Sequence, residues 1–230
     1  LCDHALPAAV VSLRALPALV ALLAGCATVE PHMMPTPAAL KDPRMDFTPA
    51  LRPALRSTRL PVFSATTRAP GKEGHYVNAA GDGMTLGTAE VRLGDPGWTF
   101  DQLVDSDRAS TVHKLRGGAV ERVEEAGKAG TAEGERRFLA GIDAQLATSN
   151  NKELVLYVHG YRVTFDEVAV QMGSFAHFLA HGAVVTFQWP TGLNFWNYLT
   201  DCPRAERYIP DIERLVALLA RSKAQKINVL

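Results

Sequence analysis

The five residues Leu154-Val-Leu-Tyr-Val158, followed at once by His159-Gly160, constrain the fold of this chain more tightly than any other stretch. An unbroken apolar run of leucine, β-branched and aromatic residues suits a strand buried on both faces of a parallel sheet. A helix start follows directly. Thr164 stands three residues before Glu167, so its hydroxyl can accept from the Glu167 amide while the Glu167 carboxylate reaches back to the Thr164 amide, a capping box. Val163 and Val168 flank the box at hydrophobic-staple spacing. Val168, Met172, Phe175 and Leu179 then share one sector at 3.6 residues per turn, an apolar stripe to lay on the sheet, and Gly182 is the expected stop.

A second apolar run, Ala183 to Phe187, is broken by Trp189-Pro190-Thr191-Gly192. Another helix is expected beyond it. Its inner face is read as Ala205, Tyr208, Ile209, Ile212, Leu215, Val216 and Leu219, with Pro210 on the opposite side, where any kink would point away from the core. Ile227 to Leu230 begins one more strand. The order β-α-β-α-β implies a parallel central sheet covered by helices on both faces, the α/β class.

The residues from Leu154 onward resemble the front half of an α/β-hydrolase core, with His159-Gly160-Tyr161 at the turn after an early central strand. Together with Val62-Phe-Ser-Ala-Thr-Thr-Arg68, Gly87-Thr-Ala-Glu-Val-Arg92 and Phe187-Gln-Trp-Pro190, the block Tyr157-Val-His-Gly-Tyr161 resembles one bacterial branch, the esterase/lipase-like domain family of unknown function 900. The resemblance implies a serine nucleophile on an elbow after the next strand, with one oxyanion donor beside that elbow and a second from the earlier turn. Carried onto this sequence, the second donor is the Tyr161 backbone N–H, and His159 and Gly160 shape the turn. Gly160, lacking a Cβ, leaves room for substrate. The plainer alternative is that His159-Gly160 is a common strand-to-helix turn with no catalytic meaning. The resemblance places the catalytic histidine late in the domain, so His159 is not the expected base.

No Gly-x-Ser-x-Gly occurs, because none of the serines has a glycine two positions before it. In the family the elbow would follow a strand like Ile227 to Leu230. The expectation is therefore an incomplete α/β-hydrolase domain over 60–230, with an antiparallel N-terminal edge and with nucleophile, acid and base beyond residue 230. These 230 residues are expected to be inactive on their own, and Ile227 to Leu230 is expected to expose an unpaired sheet edge.

Residues 1–25 read as a lipoprotein signal peptide. The apolar stretch is short and interrupted by Arg14 and Pro17, and it closes with Leu22-Leu-Ala-Gly-Cys26, which looks like a lipobox whose cysteine becomes the acylated N-terminus. A leader with an incidental cysteine is the alternative. By resemblance, Ala27 after the cysteine leans towards the outer membrane of a bacterial envelope, with the domain facing the periplasm. Residues 26–59 read as a tether, since half of the 14 prolines fall between Pro31 and Pro61. Within 60–230, Leu60 to Ser64 and Met84 to Leu93 are expected strands joined through the turn-rich Gly71 to Gly83. Trp98 to Val104 is an expected short helix, with Asp101 to Asp107 solvated. Gly117 to Gly134 is expected to be charged surface, and Phe138, Ile142 and Leu146 mark a helix leading into the Leu154 strand.

Charge excludes one class of partner. Lysine plus arginine equal aspartate plus glutamate at 24 each, so there is no basic excess for nucleic acid. No cofactor is expected. His177 and His181 are four apart, but Phe178 stands where a zinc-peptidase helix needs glutamate, and both are expected to point to solvent, so no metal site is expected. Of the three cysteines, Cys2 lies in the leader and Cys26 would carry lipid, which leaves Cys202 without a disulfide partner. Asp166 and Glu167 read as helix N-terminal acids. Two functions follow: a lipid-anchored envelope hydrolase acting on a small ester-like substrate, or a non-catalytic envelope lipoprotein that uses the same sheet to bind a partner or polymer.

Overall fold

Seven consecutive buried residues, Val62 to Arg68, make β1 (Arg59–Pro70) a strand covered on both faces, and the sheet extends from it in both directions. The computed structural model describes residues 30–42, 44, 51, 56–111, 113–149, 151–180, 182–192 and 204–230. After β1 come β2 (Tyr76–Leu93), α1 (Phe100–Ala109), β3 (Gly118–Lys128), α2 (Ala132–Thr148) and β4 (Glu153–Val158). Then follow α3 (Phe165–Leu179), β5 (Ala183–Gln188), α4 (Ile209–Leu219) and β6 (Lys226–Val229). The strand order is β3-β2-β1-β5-β4-β6. β1, β5, β4 and β6 run parallel, while β2 is antiparallel to both β1 and β3. A mostly parallel six-stranded sheet with helices on both faces is the expected α/β-hydrolase-like architecture.

Each face has its own core, set by the two-residue period of the strands. Phe63, Leu154, Leu156, Val185 and Phe187 meet Phe138, Ile142 and Leu146 of α2 and Leu215, Leu218 and Leu219 of α4. Phe63 and Phe138 pack edge to face at 6.1 Å. On the other face Val62, Val91, Val155 and Val184 meet Phe165, Val168 and Met172 of α3, together with Leu103 of α1 and Met33. Burying one such side chain contributes about 1.5–3 kcal/mol, so these two layers, rather than helix propensity, hold the helices in place.

The first crossover, β4-α3-β5, steps one way along the sheet, and the second, β5-α4-β6, returns past β4 to its far side. Crossovers of one hand that run in opposite directions must put their helices on opposite faces, and α3 and α4 do lie on opposite faces. The carboxyl ends of β4 and β5 therefore flank a switch point, where the chain leaves the sheet in two directions.

Several expectations need correction. α3 stops at Leu179 because Ala180 takes the left-handed cap conformation (φ 58°), not because of Gly182. Gly182 (φ 79°) is instead required by contact, since a Cβ there would lie 2.4 Å from the Glu153 carbonyl oxygen. Pro210 sits in the first turn of α4, where a missing N–H costs nothing, so it introduces no kink. Ile209 and Val216 are exposed, and Leu218 fills the inner face instead. β1 and β2 are longer than the expected strands, and their connection shrinks to a 3-10 turn at Lys72–Gly74. The charged stretch expected as surface forms the edge strand β3, of which only Val120 is buried. Its charges pair across strands, as Arg59 and Arg92 do with Glu121, and such charges blunt an exposed edge. α1 runs past Val104 to Ala109 from a Thr99/Gln102 capping box.

Within the expected tether, residues 32–36 are held against the rest of the domain. His32 bridges to Gly117, the Met33 amide donates to the Arg116 carbonyl at 2.8 Å, and Met33 and Thr36 are buried. Asp107, expected in solvent, is buried beneath this segment. The expected signal peptide, Cys26, Cys2, Cys202 and His181 lie outside the described residues. The sheet edge expected at β6 is present: Val229 and Leu230 are 60% and 57% exposed.

Candidate functional site

Parallel strands deliver their carboxyl ends to one rim, and the His159-Gly160-Tyr161 turn stands on that rim. The β4–β6 ladder continues to the last residue, with the Leu230 amide donating to the Leu156 carbonyl and the Val158 amide to the Leu230 carbonyl (2.9 and 3.0 Å). The turn thus begins one residue after the ladder closes, beside the tip of β6 and at the β4/β5 switch point. A turn buried far from that tip would have contradicted the hydrolase expectation.

Gly160 is exposed, and a Cβ built on it would meet nothing within 4 Å. Tyr161 is 40% exposed. Arg162 adopts φ 59°, a left-handed conformation costing a non-glycine residue about 1–2 kcal/mol. No local pattern marks this strain, which falls at Arg162 rather than at the glycine. From Thr164 the backbone enters α3 through the expected capping box: the Glu167 amide donates to Thr164 Oγ1 at 3.2 Å, and Glu167 Oε2 accepts from the Thr164 amide at 2.6 Å.

His159 points inward and is 3% exposed. Its Nδ1 lies 2.6 Å from the Gly160 carbonyl oxygen. Its Nε2 accepts from the Trp189 amide at 3.1 Å and faces Arg68 Nη2 at 3.2 Å. Two donors at Nε2 and a carbonyl at Nδ1 define the neutral Nδ1–H tautomer. The imidazole stacks nearly parallel on the Trp189 ring, 4° between planes, and the indole N–H closes back on the His159 carbonyl at 3.1 Å. Burial, reinforced by the Arg68 charge, pushes the His159 pKa down to about 4. It therefore stays neutral, with both ring nitrogens engaged by protein groups.

Other residues brace the turn, and the sequence did not single them out. Asn78 of β2 donates to the Val163 and Thr191 carbonyls (3.1 and 3.2 Å), and Thr191 Oγ1 accepts from the Val163 amide at 3.4 Å. Arg68 Nη2 donates to the Val163 carbonyl at 2.9 Å. Counted by strand alternation, Arg68 shares a face of β1 with Val62, but residues on both faces of this strand are buried.

The other candidates resolve differently. His177 does not face solvent. It is buried, its Nε2 2.8 Å from Asp107 Oδ2, so it is tied up in an ion-pair cluster on α1 and α3. Among the described residues, no group of three or more His, Cys, Asp or Glu side chains could hold a metal. Asp166 lies 3.0 Å from His75 Nδ1 in the β1–β2 turn, so it ties that turn to the start of α3 as well as complementing the helix dipole.

A mostly parallel sheet with helices on both faces and a capped strand-to-helix turn at its switch point is consistent with an α/β-hydrolase-like fold. The model of the family described as alpha/beta hydrolase of unknown function (DUF900) matches residues 135–230, from within α2 to Leu230, and this portion of the chain is similar to that family. The blocks at Val62–Arg68 and Gly87–Arg92 lie ahead of the matched residues. No curated protein and no solved structure matches the chain.

Proposed function

We propose that this chain supplies the oxyanion side of a serine-dependent, ester-hydrolysing α/β-hydrolase held at a bacterial envelope membrane by lipid on Cys26. The observation that carries the reading is the position of Tyr161, exposed in a braced turn where the carboxyl ends of β4 and β6 meet. A carbonyl carbon attacked by an alkoxide develops negative charge on its oxygen, and a fixed backbone donor at that place stabilises it without reorganising. In this reading the nucleophile follows β6, close to the Tyr161 amide, and the triad acid and histidine come later in the order Ser, Asp/Glu, His. Such a donor is worth about 2.7–4 kcal/mol of transition-state stabilisation.

The anchor is a separate part of the proposal. Among the described residues no helix is long and apolar enough to cross a membrane; attachment through a diacylglycerol thioether on Cys26 requires none. Metabolic labelling with a clickable palmitate should mark the wild-type chain and lose the signal in Cys26→Ser. The hydrolase is tested with a fluorophosphonate probe on residues 1–230 and on the gene product extended beyond Leu230. The extended protein should label and the 230-residue chain should not; failure of the extended protein to label or to hydrolyse short p-nitrophenyl esters removes the enzyme reading.

A further inference from the structure

On the face of the sheet that carries α3, apolar residues stop short of the carboxyl rim. Val62 is followed on that face of β1 by Ser64, Thr66 and Arg68, and Val184 on β5 by Thr186 and Gln188, all of them buried. Most of this polar wedge is internally bonded. Gln188 Nε2 donates to Thr186 Oγ1 at 3.2 Å, Thr66 Oγ1 donates to the Gln188 carbonyl at 3.0 Å, and the Arg68 amide donates to Thr66 Oγ1 at 3.1 Å.

Arg68 is the exception. It is 1% exposed, yet among the described residues Nε and Nη1 have no hydrogen-bond partner, and neither has Gln188 Oε1 on the neighbouring strand. The carboxylate that acts on it, Glu167, is committed to the Thr164 amide and hydroxyl at 2.6 and 2.8 Å. A buried guanidinium without a paired carboxylate costs several kcal/mol, so packing alone would favour an apolar residue here. What Arg68 does reach is the turn: His159 Nε2 and the Val163 carbonyl oxygen.

We propose that Arg68 is the positioning residue of the turn from His159 to Thr164, holding the imidazole in its Nδ1–H form and the Val163 carbonyl inward so that the Tyr161 amide is presented at the rim. The two contacts grip the turn on both sides of Arg162, the residue in the left-handed conformation, and strain of this kind persists only where surrounding contacts over-determine it. The catalytic meaning of the positioning rests on the hydrolase reading above; the positioning itself does not. Its charge also lies beneath the turn, favouring an anion there over a neutral carbonyl. Protonating His159 would turn Nε2 from acceptor to donor against both Arg68 and the Trp189 amide. Among the described residues, the charged or titratable groups around Arg68 and this ring are Glu167 from α3 and Tyr208 ahead of α4, the latter packed on Trp189.

The test is nitrogen-15 NMR of the histidine rings in the 230-residue chain, with His159 assigned by the signal lost in His159→Gln. Wild-type His159 should show a protonated Nδ1 and a bare Nε2 from pH 8 down to its low midpoint. Arg68→Met should lose that single tautomer and raise the midpoint by about half a pH unit or more. Arg68→Lys, which keeps a charged donor, should restore both. A wild-type Nε2–H form overturns the proposal without any variant, and so does an Arg68→Met protein whose tautomer and midpoint equal those of the wild type. Probe labelling plays no part in this measurement, so an extended protein that never labels would end the hydrolase reading while the imidazole signals decide Arg68 independently.

Discussion

Neutralising Asp107 tests the buried polar cluster that ties the N-terminal segment to α1 and α3. Its Oδ2 lies 2.8 Å from His177 Nε2, and its Oδ1 accepts from Thr36 Oγ1 at 3.2 Å and from Arg116 Nη1. The side chains of Asp107, His177 and Arg116 are 8%, 3% and 10% exposed, so solvent screens little of the interaction. Burial pushes the Asp107 carboxyl up, but the hydrogen bonds and charges of His177 and Arg116 together outweigh it and hold the carboxyl below its ordinary value of 3.8. Asp107→Asn keeps the shape and one acceptor oxygen but strands the Arg116 charge. Breaking a buried pair in this way costs about 3–5 kcal/mol, and the retained acceptor favours the lower end. With a urea slope of about 2–3 kcal/mol/M for a domain of this size, the midpoint at pH 7 should fall by about 1 M or more. Because the folded-state pKa is depressed, the stabilisation is complete above the unfolded value near 3.8 and is lost as pH falls through the folded value. The gap between wild type and variant should therefore narrow in strong acid. Urea titrations at pH 7 and below pH 3 measure it; a midpoint change under about 0.3 M at pH 7, or a gap equally wide at both pH values, would refute the cluster's assigned weight.

Further outcomes follow from single sites. The His159 pKa is lowered from 6.5 to about 4, so its contribution is complete above pH 6.5 and is lost as pH falls from 6.5 to 4, about 3 kcal/mol in all; His159→Gln should flatten that part of the stability profile in thermal melts. Gly182→Ala places a Cβ 2.4 Å from the Glu153 carbonyl oxygen at φ 79° and should cost about 2–4 kcal/mol, read as a lower unfolding temperature; a change under about 1 kcal/mol would place the strand start differently. Thr164→Ala removes one half of the α3 capping box and should cost about 1 kcal/mol by denaturant titration, with faster hydrogen exchange confined to the first turn.

The β4-α3-β5 unit was legible because its signals are local. A short apolar run of leucine, β-branched and aromatic residues closed by a turn suits a doubly covered strand, and Thr164 and Glu167 need only each other to cap a helix. The second crossover was readable in outline, but Ile209 and Val216 look like core residues until a neighbour decides which stripe is covered. β3 was missed for the opposite reason. An edge strand buries one face at most, so its alternating charges resemble a solvated loop, and only pairing with β2 makes it a strand.

The turn at His159-Gly160-Tyr161 could be placed from sequence because strand, turn and cap are contiguous. Its supports could not. Arg68, Asn78, Trp189 and Thr191 stand far apart along the chain, and none carries a local pattern that marks it as a brace. Asp107 and His177 likewise look solvent-facing until α1 and residues 31–42 close over them. Sequence by itself determined the β4-α3-β5 unit and the rim that holds its turn, since these depend on hydrogen bonds and periodicity within a few residues. Only the tertiary structure decided which polar side chains are buried and what they hold, because desolvation and pairing depend on groups that distant strands bring together.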